Sequence, residues 1–177
     1  MKLMIFDLDG TIIRPKSVDG NPVDRFPKDK DDWEFVPGIL EKIKKAKAEG
    51  WKLAIVTNQA GIELSYITPA DFKEKLDKIV KSVYLYISGN YDGHHSHNPF
   101  VHIVVADHLN SDLRKPSVQA YTQITHRLRF APLEVVMVGD ASGGGSFSDS
   151  DRKFLENIRD TFDVKATYFD IKEFLDD

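Results

Sequence analysis

Short, largely apolar runs alternate along this chain with longer stretches in which apolar residues recur every three or four positions. That alternation constrains the fold more than any other feature. Leu3 to Phe6, Lys52 to Val56, Val101 to Ala106 and Val135 to Val138 have strand length and little polarity. Runs of this kind suit strands buried on both faces of a parallel sheet. Between them lie helical patterns. Pro37 to Glu49 carries Ile39, Leu40, Ile43 and Ala46 on one stripe and ends at Gly50. Thr68 is placed to cap a second helix with Pro69 at its first position and Phe72, Leu76, Ile79, Val80 and Val83 inside. Ser117 to Phe130 forms a third pattern. Ser148 or Ser150 would cap a fourth through Phe154, Leu155 and Ile158, and Asp170 a short last one with Ile171, Phe174 and Leu175. Strands alternating with helices imply an α/β fold with a doubly wound parallel sheet.

Two segments break the alternation. Residues 11–36 hold Pro15, Pro22 and Pro27 among many charges and read as a short flap, and residues 88–99 read as a polar surface loop. There is no internal repeat and no separating linker, so residues 1–177 are expected to form a single domain. No apolar run approaches the ~18 residues a membrane span needs, and Lys2 to Phe6 is too short for the apolar part of a signal peptide. The sequence has no cysteine, which removes disulfides and thiolate-bound metals and points to an intracellular protein, cytoplasmic or, in a eukaryote, nuclear. The formal net charge of −4 weighs against a protein that coats long stretches of nucleic acid, though not against one that grips a single end.

Chemistry concentrates where the strands end. The first run stops at Asp7-Leu8-Asp9-Gly10-Thr11, and carboxylates at i and i+2 point to the same side beyond the sheet. Open α/β sheets bind ligands at that edge. Packed together, the two acids repel unless a cation or a shared proton intervenes; an Asp-Gly pair is also a common turn. The second run ends Thr57-Asn58-Gln59-Ala60-Gly61, offering hydroxyl, amide and backbone N–H donors for phosphoryl oxygens. The fourth ends Gly139-Asp140, a third acid at the same edge. Between them lies Arg114-Lys115-Pro116, two cations before a helix start.

These residues, in this order, resemble the haloacid dehalogenase superfamily of phosphotransferases, whose four motifs match Asp7 to Thr11, Thr57, Lys115 and Gly139-Asp140. The resemblance narrows at Phe6 to Ile13, Phe26-Pro27, Asp32-Trp33, Thr57 to Ile62, Arg114 to Pro116, Val138 to Ala141, Phe147-Ser148, Asp151-Arg152, and finally Phe169 with Glu173-Phe174. There the chain is similar to the phosphatase domain of polynucleotide kinase 3′-phosphatases. The glycine-rich stretch Gly139 to Ser146 lacks the lysine of a kinase phosphate loop, so a stand-alone phosphatase is expected.

The resemblance implies a Rossmann-like fold without a substantial cap, and Mg²⁺-dependent removal of phosphate from the 3′ ends of nucleic acid, DNA above all, in end repair. By the same resemblance the catalytic residues are Asp7, Asp9, Thr57 and Lys115. Asp7 would be the nucleophile and form an aspartyl-phosphate, with Asp9 as the acid and then the base. Mg²⁺ would sit on the Asp7 carboxylate, the Asp9 carbonyl and the Asp140 carboxylate. Thr57 and Lys115 would bind the phosphoryl oxygens, joined by Asn58 through its N–H and by Arg114 near flanking phosphates. Asp151 would either fix Lys115 or a water on the metal, or simply occupy the first turn of a helix, where acids are favoured. A monomer suffices.

Two features point elsewhere. Family members usually carry an arginine after the Thr57 to Ile62 run, whereas this chain reads Glu63-Leu64-Ser65-Tyr66, which bears on nucleic-acid affinity. His94, His95, His97 and His102 raise the possibility of a zinc site like those of small-molecule relatives, although a polar loop accounts for them as well. The alternatives are therefore a phosphatase of a small ester of the histidinol-phosphate or heptose-phosphate type, and a non-catalytic module that binds nucleic-acid ends.

Overall fold

The structure, a computed structural model, describes residues 1–16, 26–89 and 98–177. In chain order its elements are β1 (Lys2–Phe6), β2 (Ile13–Arg14), β3 (Glu34–Phe35), α1 (Ile39–Ala48), β4 (Lys52–Asn58), α2 (Pro69–Ser88), β5 (Phe100–Ala106), α3 (Gln119–Leu128), β6 (Glu134–Gly139), α4 (Ser150–Phe162), β7 (Lys165–Asp170) and α5 (Ile171–Asp176). Five strands form one parallel sheet in the order β5-β4-β1-β6-β7. The chain winds outward from β1 in one direction and then returns to build β6 and β7 on its other side. The order thus reverses between β1 and β6, the place where such sheets bind ligands. Phe6 lies level with Ile55 of β4 and Val138 of β6, so three strands release their following residues at one edge.

The unbroken apolar runs follow from burial on both faces. Met4 and Phe6 of β1, with Leu53, Ile55, Val136 and Val138, pack against Ile39 and Ile43 of α1, Phe72, Ile79 and Val83 of α2, and Ile171 of α5. Leu3, Ile5, Ala54, Val56, Val135 and Met137 pack the other way, against Ala120, Tyr121 and Ile124 of α3 and Phe154, Leu155 and Ile158 of α4. Each such side chain contributes about 1.5–3 kcal/mol when fully buried, so the two layers fix the register of the central strands: a slip by one residue would exchange them.

The structure amends the expected elements in three places. A fifth sheet strand, β7, was not anticipated: it is an edge strand, half-buried, and Lys165 and Thr167 interrupt its apolar character. Asp149, not Ser148 or Ser150, stands at the cap of α4, with Ser150 already inside the helix. The described part of the flap is more ordered than an extended loop. Ile12 and Ile13 are buried, Ile13 pairs with Phe35 across the β2–β3 ribbon, and Trp33 meets Phe35 edge to face at 5.4 Å. Lys30 to Glu74 (2.7 Å) and Lys78 to Asp31 (2.8 Å) tie this segment to α2. Thr68 caps α2 as expected, its hydroxyl accepting from the Asp71 N–H at 3.0 Å.

Among the described helices and strands only the β2–β3 ribbon lies outside the sheet and its flanking helices, and none of the described helices is long and apolar enough to cross a membrane. His94, His95 and His97 fall outside the described residues; His102 lies on β5.

Candidate active site

Asp7 follows β1 directly, and its N–H still donates to the Val138 carbonyl of β6 at 3.0 Å. Leu8 turns into the core, so Asp7 and Asp9 emerge on the same side, both buried to 8% exposure. The Leu8 carbonyl then accepts from the Ile12 and Ile13 N–H groups, folding the chain back tightly after the second acid. Gly10 makes that turn with φ +79°, and a Cβ there would come within 2.1 Å of the Asp140 Oδ2. Gly139 stands in the same relation to Asp151, whose Oδ2 would lie 2.2 Å from an added Cβ. Both glycines are needed because a carboxylate rests directly on the backbone.

Lys115 is the cation at the centre. Its Nζ lies 2.6 Å from the Asp7 Oδ1 and 2.6 Å from the Asp151 Oδ1, with all three side chains buried. Burial alone would lower the Lys115 pKa, but Asp7 and Asp151 outweigh it and hold the ammonium above its ordinary value. Asn58 fixes the loop that delivers this lysine: its Oδ1 accepts from the Lys115 N–H at 2.9 Å, and its Nδ2 donates to the Lys115 carbonyl at 3.1 Å. The Asn58 side chain is therefore committed to Lys115. Asp151 lies in the first turn of α4, and besides its contact with Lys115 its Oδ2 accepts from the Ala141 N–H at 3.1 Å. Arg114 is half-buried, with Nη1 enclosed and without a hydrogen-bond partner.

Among the described residues Asp7, Asp140 and Asp151 bring carboxylate oxygens within 4.8 Å of one another. Burial, helped by Asp151 and then Asp140, raises the Asp7 pKa against the pull of Lys115. Burial, with Asp151 next, pushes Asp140 up to about 7. Acids crowded in this way favour a bound cation. Asp151 already spends its oxygens on Lys115 and Ala141, which leaves Asp7 and Asp140 to face one. Among the described residues no hydrogen bond takes the Asp9 carbonyl. Two carboxylates and a carbonyl are hard oxygen donors that fit a small divalent ion completed by water.

On the β4 side Thr57 is buried, and its Oγ1 accepts from the Gln59 Nε2 at 2.9 Å; the same amide group donates to the Asp9 Oδ2 at 2.6 Å. The expected residues thus converge on one strand edge. Gln59, Lys75 and Tyr168 were missed. Gln59 stood inside the matched Thr57 to Ile62 run. Lys75 was signalled only as a lysine within the apolar stripe of α2, three residues after Phe72. Tyr168, whose hydroxyl donates to the Gly139 carbonyl at 3.0 Å, lies on the unanticipated strand; burial and then Asp151 raise its pKa.

The family described as polynucleotide kinase 3 phosphatase matches residues 2–169. A D-glycero-beta-D-manno-heptose-1,7-bisphosphate 7-phosphatase of Helicobacter pylori is 30% identical over 78% of this chain and 72% of its own length. The bifunctional polynucleotide phosphatase/kinase of Schizosaccharomyces pombe is 30% identical over 95% of this chain, which spans 37% of that protein. In three dimensions the chain superposes on the D,D-heptose 1,7-bisphosphate phosphatase of B. bronchiseptica, solved with magnesium and phosphate, with a TM-score of 0.69. That match is 20% identical and covers 99% of this chain and 97% of the other. With the motif residues gathered at one edge of a Rossmann-like sheet, the chain belongs to the polynucleotide kinase 3 phosphatase family, a branch of the haloacid dehalogenase phosphatases.

Proposed function

We propose that this phosphatase removes the 3′-phosphate from nucleic-acid ends, DNA foremost, with Mg²⁺ as its cofactor. The observation that carries the chemistry is the Asp7 carboxylate, held at 2.6 Å by Lys115 on the same edge as Asp9 and Asp140. Asp7 attacks phosphorus as the P–O3′ bond breaks, and Asp9 gives its proton to the departing O3′. Asp9 then takes a proton from the water that attacks the aspartyl-phosphate, which returns Asp7 and releases inorganic phosphate. Thr57 accepts from Gln59, so its own O–H is left to donate to a phosphoryl oxygen, and Lys115 supplies positive charge beside it. Asp7, Asp140 and the Asp9 carbonyl would hold Mg²⁺, which when bound neutralises charge on the phosphoryl group.

Substrate class rests on the family and on an aromatic pair. Phe26 of the flap and Phe147 of the loop after β6 meet edge to face at 6.1 Å, each about half exposed. An exposed aromatic pair is a surface on which a nucleobase stacks. The heptose-bisphosphate relative supports a second reading, a small sugar phosphoester.

One assay separates them. The protein is incubated with Mg²⁺ and a 3′-phosphorylated oligonucleotide, a 5′-phosphorylated one, or histidinol and heptose phosphates. Release from the 3′ end alone, abolished by Asp7→Asn, is the expected result. Turnover of the small esters alone overturns the nucleic-acid assignment, and no turnover at all favours a binding module.

A further inference from the structure

Lys75 projects from the inner stripe of α2, between Phe72 and Ile79, and is only 3% exposed. A lysine is a costly choice there. Leucine would pack the same stripe, whereas a buried ammonium needs compensation. Its Nζ lies 4.0 Å from the Asp9 Oδ1 and 5.2 Å from the centroid of the Phe72 ring, which offers its face to the cation. The Asp9 Oδ1 is itself enclosed and without a hydrogen-bond partner, while Oδ2 takes the Gln59 amide at 2.6 Å.

The two distances differ in kind. A separation of 2.6 Å is a hydrogen bond that occupies an oxygen. One of 4.0 Å is too long for that, yet short enough for strong attraction between charges in a buried place. We propose that Lys75 is a positioning residue for Asp9. Gln59 anchors one carboxyl oxygen and Lys75 draws the other, the enclosed Oδ1, toward α2, so that the carboxyl group is held from both sides in the orientation from which it exchanges its proton with the leaving group and then with water. Lys75 touches neither the phosphoryl group nor the nucleophile; it acts through Asp9. The assignment rests on Asp9 being the acid and base of the phosphatase proposed above.

The test uses the whole chain, Mg²⁺ and a 3′-phosphorylated oligonucleotide under single-turnover and steady-state conditions. Lys75→Met is expected to lower kcat by about tenfold to a hundredfold, the scale of a misplaced catalytic group, with KM nearly unchanged. Lys75→Arg, which keeps the charge, should recover most of the loss. In an Asp9→Asn background the same Lys75→Met change should cost less than about twofold, because paired positions that act together are not additive.

A penalty of equal size with and without Asp9 overturns the proposal in favour of a packing role. A rise in KM with kcat unchanged overturns it in favour of direct substrate binding. Where Lys75→Met fails to fold, Lys75→Gln against Lys75→Arg makes the same comparison. Failure of the phosphatase assignment itself shows separately, as wild-type protein that releases no phosphate from the oligonucleotide.

Discussion

The candidate site has two halves built on different principles. On the side of β1, β6 and α4, three buried or half-buried carboxylates, Asp7, Asp140 and Asp151, surround the single ammonium of Lys115. With all four ionised that half carries −3 + 1 = −2, a charge a divalent cation balances. On the side of β4 and α2, Asp9 meets one neutral amide and one distant ammonium, and Thr57 meets the same amide. The first half is held by charge and left incomplete, and its surplus of carboxylate oxygens suits a divalent ion. The second is held through one neutral amide shared by Asp9 and Thr57, so this neutral half fixes the orientation of side chains rather than a balance of charge. One strand end, with acids two residues apart, serves both because each acid faces a different neighbour across the sheet.

Removing the central cation should break the charged half. Lys115→Met leaves Asp7 and Asp151 buried without their partner, and the expected cost is about 3–5 kcal/mol of stability together with loss of turnover, read by thermal melting and phosphate release. A melting temperature equal to that of the wild type would show that the three acids do not depend on this lysine.

The second effect concerns pH. Asp7 and Asp140 are held above their ordinary values in the fold, Asp140 at about 7, chiefly by burial. The folded chain thus binds protons more tightly than the unfolded chain does. Without metal, stability should fall as pH rises from about 4, where a free aspartate titrates, through about 7. Mg²⁺ bound by these acids would replace those protons, so its stabilising increment should grow across the same window. Melts at pH 5 and pH 8, with Mg²⁺ and with chelator, check this. An increment that shrinks toward pH 8 would contradict the charged half as drawn.

The smallest effect belongs to the neutral half. Gln59→Leu removes two hydrogen bonds, at 2.6 and 2.9 Å, yet leaves no charge without its counter-charge. Stability should fall by about 1–3 kcal/mol, less than for Lys115→Met, while kcat falls because Thr57 and Asp9 lose a common anchor. Denaturant unfolding of the two variants side by side measures the contrast.

Most of the charged half could be read from the chain itself, because Asp7, Asp140 and Lys115 directly follow apolar runs or precede a helix start. The central strands were legible for the same reason, since burial on both faces writes unbroken apolar runs. The neutral half was less legible. Lys75 reaches the site from a helix whose pattern pointed to Leu76 on the apolar stripe, and only the rotation of α2 puts the lysine inward. Gln59 and Asn58 lie beside Thr57, but nothing local says that one would brace Asp9 and the other the backbone of a residue 57 positions away. Strand β7 escaped notice because an edge strand with one half-covered face needs no apolar run.

The close approach of Asp140 to Gly10, and of Asp151 to Gly139, has a consequence for natural variation. A methyl group at either position would occupy the space of a carboxylate oxygen, at 2.1 and 2.2 Å. A lineage can therefore acquire a side chain at position 10 or 139 only by giving up the placement of an acid. These two hydrogen atoms in place of side chains act as a record: where both persist, Asp140 and Asp151 have room to keep their places, and where either is lost, an acid has had to move.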